Sequence, residues 1–103
     1  MRKTKVTFNS DKLQYSCELM RALAHPLRLR ILKFIDDHGQ INVNKIYNTL
    51  KIEQSITSQH LKILRLADVV EAEKNGKYVS YSINYPVVEK ASKAVNAYVK
   101  SIT

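Results

Sequence analysis

Apolar residues recur at helical spacing along most of this chain and change to strict alternation once, after residue 69. Ser10 stands where it can cap a helix beginning at Asp11, with Leu13, Cys17, Met20 and Ala24 on one face at i, i+4, i+7 and i+11. In "AHPLRLRILKFIDDHG", Pro26 sits where a helix begins without losing a needed N–H. Leu27, Ile31, Phe34 and Ile35 form the apolar stripe of that helix, and Gly39 is a natural stop. The segment "NVNKIYNTL" predicts a short third helix, with Val43, Ile46, Tyr47 and Leu50 at helical spacing and Asn42 as candidate cap. A tight connection at "KIEQ" leads to "EQSITSQHLKIL". There Leu61, Leu64 and Ala67 repeat at helical spacing while Gln54, Ser55, Ser58, Gln59 and Lys62 lie elsewhere on the cylinder. A core helix has no use for so polar a front, and a loop has no use for so apolar a back.

In "VVEAEKNGKYVSYSIN" the period becomes two: Val70 and Ala72 alternate with Glu71 and Glu73, then Val79, Tyr81 and Ile83 with Ser80 and Ser82. Asn75-Gly76 between the runs predicts a two-stranded hairpin closed by a type I′ turn, because both central residues of that turn need positive φ. Pro86 opens a last helix with Val87, Ala91, Val95, Tyr98 and Ile102 on one stripe and Val88 and Val99 beside it. No internal repeat or linker interrupts the chain, and 103 residues fit a single domain, 1–103. The predicted fold is mainly α with a small β-hairpin, in the order α-α-α-α-β-β-α. It is a winged helix-turn-helix with an extra helix at each end: helix-turn-helix about 42–67, wing about 69–84, terminal helices about 10–24 and 86–102.

Composition narrows the partners. Lys and Arg outnumber Asp and Glu by 17 to 9, a balance that favours a polyanion, nucleic acid first, although a solvated basic surface would look the same without a motif. One cysteine, Cys17, excludes an intrachain disulfide framework and a Cys-rich zinc site, and suits a reducing cytosol. The start, "MRKTKVTFNS", has three basic residues with no apolar run behind them, and no stretch approaches a membrane span. The expectation is a soluble, cytoplasmic protein with no membrane partner.

"ALAHPLRLRILKFI" and "SITSQHLKILRLADVVEAEKNGKYVSYSI" resemble the second-helix signature and the recognition helix with its wing in the ArsR-type (SmtB/ArsR) bacterial repressors. The similarity runs over roughly residues 11 to 103 by element alignment. It implies a dimeric winged-helix repressor that binds double-stranded DNA and releases its operator on sensing a metal or another chemical signal. One departure is that the family usually places a small polar residue and then a β-branched apolar one before the Ser of S-x-H-L. This chain has Ile56 and then Thr57, with Thr57 expected to bury its methyl group.

A recognition helix in the major groove needs short hydrogen-bonding side chains near its N-terminus. Gln54, Ser55, Ser58 and Gln59 meet that need, and the resemblance implies the same positions. Gln pairs bidentately with adenine N6 and N7, while Ser serves a base edge or a phosphate. On a lone amphipathic helix such residues are more often simply solvated; the hairpin and the net charge of +8 favour the DNA reading. Lys62 and Arg65, later on the helix, are assigned to phosphates, and Lys74 and Lys77 to the backbone or minor groove beside the wing tip. His60 is expected to pack and hydrogen-bond rather than read bases, His25 to cap or pack at the second helix, Arg28 to form a structural ion pair, and His38 to be solvated at a helix end.

Apolar stripes on the first and last helices predict a homodimer through them and, from its two-fold symmetry, an operator that is an imperfect inverted repeat. Of the metal sites the resemblance implies, the third-helix one reads Asn42, Val43, Asn44 here, and the last-helix one has only Glu89 as an acid and no His. No metal or cofactor is therefore expected. Cys17 is expected as a small buried hydrophobe, with an intersubunit disulfide under oxidation as its candidate redox role. A winged-helix module that binds a protein partner is the alternative function. An enzyme ranks last, because no paired carboxylates, nucleophile triad or phosphate-cradling glycine loop is present.

Overall fold

The structure, a computed structural model, describes residues 10–102, with side-chain surroundings for 17–93. Its elements are α1 (Ser10–Leu23), α2 (Pro26–His38), β1 (Gln40–Asn42), α3 (Val43–Leu50), α4 (Gln54–Leu66), β2 (Val70–Asn75), β3 (Tyr78–Ile83) and α5 (Tyr85–Ile102). The expected Ser10 cap and the stripe positions Leu13, Val95, Tyr98, Val99 and Ile102 lie outside the described side chains. One apolar core joins the elements: Ile31 and Ile35 of α2, Ile46 of α3, Leu61 and Leu64 of α4, and Val69 and Val70 at the wing base are all buried, with Val87 and Ala91 of α5 beside them.

The helix ends follow local chemistry. Pro26 opens α2 behind His25, whose Nδ1 accepts the Leu27 N–H at 3.1 Å, so His25 is the cap expected of it. Gly39, at φ 77°, donates its N–H to Ile35 and turns the chain into β1. Asn42 Oδ1 accepts the Lys45 N–H at 2.9 Å and caps α3. Helix α3 ends with Lys51 in the left-handed region (φ 56°, ψ 48°), where the N–H groups of Lys51 and Ile52 both reach the Tyr47 carbonyl. Asp68, at φ 63°, ends α4 in a Schellman motif: Val69 N–H bonds Leu64 O and Asp68 N–H bonds Arg65 O. The buried pair Val69 and Leu64 supplies the apolar contact of that motif.

Two strand expectations are corrected. The sheet has three strands, not two, because β1 pairs antiparallel with β3, with Ile41 opposite Tyr81, giving the order β1-β3-β2. Three residues are too few for an alternation signal, and the strand exists only through its pairing. The hairpin turn also lies one residue later than expected. Asn75 pairs with Tyr78, so Gly76 and Lys77 are the central residues, and only Gly76 has positive φ, the pattern of a type II′ turn. Within β2 only Val70 is buried; Ala72 faces solvent although it alternates correctly.

Arg28 ties the helices together. Its Nε donates to Ala22 O at 2.7 Å and its Nη2 to Arg21 O at 3.2 Å, filling carbonyls at the end of α1, while Nη1 lies 3.3 Å from His60 Nδ1 on α4. An ion pair was the expectation; the partners found are two main-chain oxygens and an imidazole. His60 is half-buried, with its ring centroid 4.7 Å from that of His25, as the packing and hydrogen-bonding reading of this residue required.

Two outcomes follow from these contacts. A left-handed lysine costs about 1 kcal/mol, and Lys51 is exposed; Lys51→Gly should therefore raise the unfolding free energy by up to about that amount, read as a higher urea midpoint with the slope unchanged. Desolvation first, then the neighbouring His25 and Arg28, hold His60 below the ordinary 6.5. The unfolded chain thus takes up that proton first as pH falls, so the stability contribution is full above 6.5 and is lost as pH drops towards the folded value. His60→Asn keeps an acceptor near Arg28 without titrating, and its urea midpoint should fall less than wild type between pH 7.5 and about 5.

Candidate nucleic-acid interface

Helix α4 is held by one buried row and offers the rest of its surface. Thr57, Leu61, Leu64 and Ala67 face the core at i, i+4, i+7 and i+10. Thr57 is 0 % exposed, and its hydroxyl donates to Glu53 O at 3.0 Å, the same carbonyl that accepts its N–H. The threonine thus buries its whole side chain, not its methyl group alone, with the hydroxyl satisfied inside the helix's first turn.

Gln54, Ser55, Ser58 and Gln59 are all exposed on the first two turns of α4. They form two short columns, Gln54 above Ser58 and Ser55 above Gln59, which Arg65 and Lys62 continue toward the C-terminal end. Ser55 Oγ donates to the Glu53 carboxylate at 2.7 Å, which engages its proton and leaves its lone pairs as acceptors. Ile56, 40 % exposed, borders these columns on the side of Gln59; it was not among the sequence-derived site residues, since an apolar side chain ordinarily signals core.

Lys74 and Lys77 are exposed on a separate element, the tip of the wing, where Lys74 pairs across the sheet with Val79 and Lys77 occupies the turn. Lys77 Nζ sits 5.6 Å from the centroid of the exposed Tyr78 ring, a cation–π contact the sequence did not signal. Glu73, the residue before Lys74 on β2, accepts from Gln40 Nε2 at 3.4 Å, so the added strand β1 engages this acid of the wing. Exposed hydrogen-bonding side chains on a helix and cations beside them are the kinds of group that base reading and phosphate contact use.

Cys17 is exposed on the single chain, contrary to the buried role expected. The stripe expected through it does not face the core: Met20 is half-buried and Ala24 exposed, whereas the buried residues of α1, Leu19 and Ala22, lie on the opposite side of the helix. At the start of α3, Asn42 is committed to its cap and Val43 is half-buried. Among the described residues no three His, Cys, Asp or Glu side chains gather as a metal site, and no helix is long and apolar enough to cross a membrane.

Residues 25–72, the stretch from the cap of α2 into β2, match the arsR family of bacterial regulatory proteins. The transcriptional repressor PagR of Bacillus anthracis is 39 % identical over 94 residues, which cover 86 % of this chain and 94 % of that one. Its crystal structure shares the fold with a TM-score of 0.70 at 37 % identity, over 84 % of this chain and 99 % of the other. HlyU from Vibrio cholerae gives a TM-score of 0.69 at 26 % identity, over 88 % and 99 %. At 20 % identity, the homodimeric winged helix-turn-helix DNA-binding domain of Mb0332 from Mycobacterium bovis has the same architecture, with a TM-score of 0.75 over 99 % and 94 %. The chain belongs to the arsR family of bacterial regulatory proteins and is a winged helix-turn-helix transcriptional regulator.

Proposed function

We propose that this regulator is a cytoplasmic homodimeric repressor that reads an imperfect inverted repeat in double-stranded DNA and releases it on a chemical signal. The observation that carries the reading is the front of α4, where four exposed hydrogen-bonding side chains stand on a helix whose rotation is fixed by a buried row. Gln54, Ser55, Ser58 and Gln59 touch base edges in this reading, Lys62 and Arg65 meet phosphates, and Lys74 and Lys77 hold the DNA beside the wing. Repression is favoured by the similarity to PagR, a transcriptional repressor.

Dimerisation has separate support. Met20, Leu23 and Ala24 of α1, Leu29 of α2, and Val88 and Ala91 of α5 line an apolar groove of about 630 Å3 on the single chain. A soluble protein seldom leaves so much apolar surface open, and a second copy covering it makes α1 and α5 the dimerisation helices. Two-fold symmetry then sets two copies of α4 into successive major grooves roughly 34 Å apart.

Operator and random duplexes titrated at several salt concentrations test the assignment. Gln59→Ala should weaken operator binding about tenfold, the worth of one bidentate base pairing, and leave random DNA nearly untouched. Lys77→Ala should weaken both and lower the salt slope by about one unit per protomer. Equal losses on both duplexes for Gln59→Ala would refute base reading by that residue.

A further inference from the structure

Ile56 is the third residue of α4 and is 40 % exposed. Singly exposed apolar residues are common on protein surfaces; position distinguishes this one. On the helix surface its neighbours at i−3, i+3 and i+4 are the exposed Glu53, the exposed Gln59 and the half-buried His60, so it borders the polar edge on the side of Gln59. The other large exposed apolar residues of α4, Ile63 and Leu66, lie two turns on and border the cleft that Glu18 and Arg21 of α1 also line.

The exposure is imposed by packing. Turning α4 enough to bury Ile56 would bring out Thr57, Leu61 and Leu64, each 0 % exposed, and would carry His60 away from Arg28. Thr57, bonded twice to Glu53 O, occupies the inward place in that turn. A β-branched side chain in a helix has essentially one χ1 rotamer, so Ile56 presents a fixed apolar surface and loses little freedom on contact.

We propose that Ile56 is a specificity-determining residue that packs against the C5-methyl group of a thymine in the major groove. The proposal rests on the reading that the front of α4 enters that groove. Of the groups the four base pairs display there, the thymine methyl is the apolar one. The polar residues of the edge pair with donors and acceptors, which the methyl group lacks. Cytosine in the same place carries only C5–H where thymine carries its methyl group, so the apolar contact would be lost.

Deoxyuridine removes that methyl and leaves every hydrogen-bonding group of thymine in place, which makes it the probe. A duplex is selected by the purified protein from a random-sequence pool, each thymine is replaced in turn by deoxyuridine, and affinities are read by fluorescence anisotropy at one salt concentration. Wild type should lose about fourfold at one thymine per half-site, the worth of one buried methyl group. Ile56→Ala should bind the thymine and deoxyuridine duplexes equally at that position, and Ile56→Val should keep part of the preference. Circular dichroism of Ile56→Ala should match wild type, since alanine favours a helix and the site is exposed. The proposal is overturned if Ile56→Ala keeps the thymine preference at every position, or if wild type shows none. A pool that enriches no sequence at all would instead bring down the reading of α4 as a base-reading helix, and Ile56 with it.

Discussion

The rotation of α4 about its own axis is the constraint on which the interface depends. A buried row of Thr57, Leu61, Leu64 and Ala67 turns one face inward, and the geometry of a helix then decides what every other residue presents. Thr57 is the polar member of that row and fits because its hydroxyl finds Glu53 O one turn back. The same row that stabilises the domain therefore aims Gln54, Ser55, Ser58 and Gln59 outward, and Ile56 with them. Stability and recognition are two faces of one packing decision.

Arg28 extends that constraint beyond α4. One guanidinium fills carbonyls at the end of α1 and touches the half-buried His60 on α4, so three helices share a single hydrogen-bonding centre. Its planar fork suits several acceptors at once, which a lysine could not meet with the same geometry. Helix α1 also borders the apolar groove that continues to α5. A shift of α1 relative to α2 would strain the contacts that orient the polar edge.

Charge is divided by element. The front of α4 begins uncharged, its later turns carry Lys62 and Arg65, and the wing tip carries Lys74 and Lys77. In the proposed complex, neutral side chains facing the bases would avoid placing unpaired charges where desolvation is costly, and cations facing phosphates would lose little by remaining hydrated. Glu73 is the acid on the wing that β1 engages through Gln40.

The sequence by itself determined the helices whose apolar period is long and whose ends carry strong local signals. Pro26 and Gly39 bound α2, and Asn42 caps α3, because proline geometry, positive φ and a short side-chain acceptor act within a few residues. It also determined which residues of α4 are outward, since a stripe fixed by Leu61 and Leu64 leaves no other rotation. Tertiary structure decided what depends on distant partners. Strand β1 exists only because Gln40, Ile41 and Asn42 meet Ser82, Tyr81 and Ser80. The hairpin turns at Gly76-Lys77 because the pairing that begins at Val70 and Ile83 fixes the register, whereas Asn75-Gly76 is equally good locally. Arg28 found carbonyls and a histidine, and Cys17 stayed exposed, because helical periodicity tells which way a residue points but not what stands opposite it.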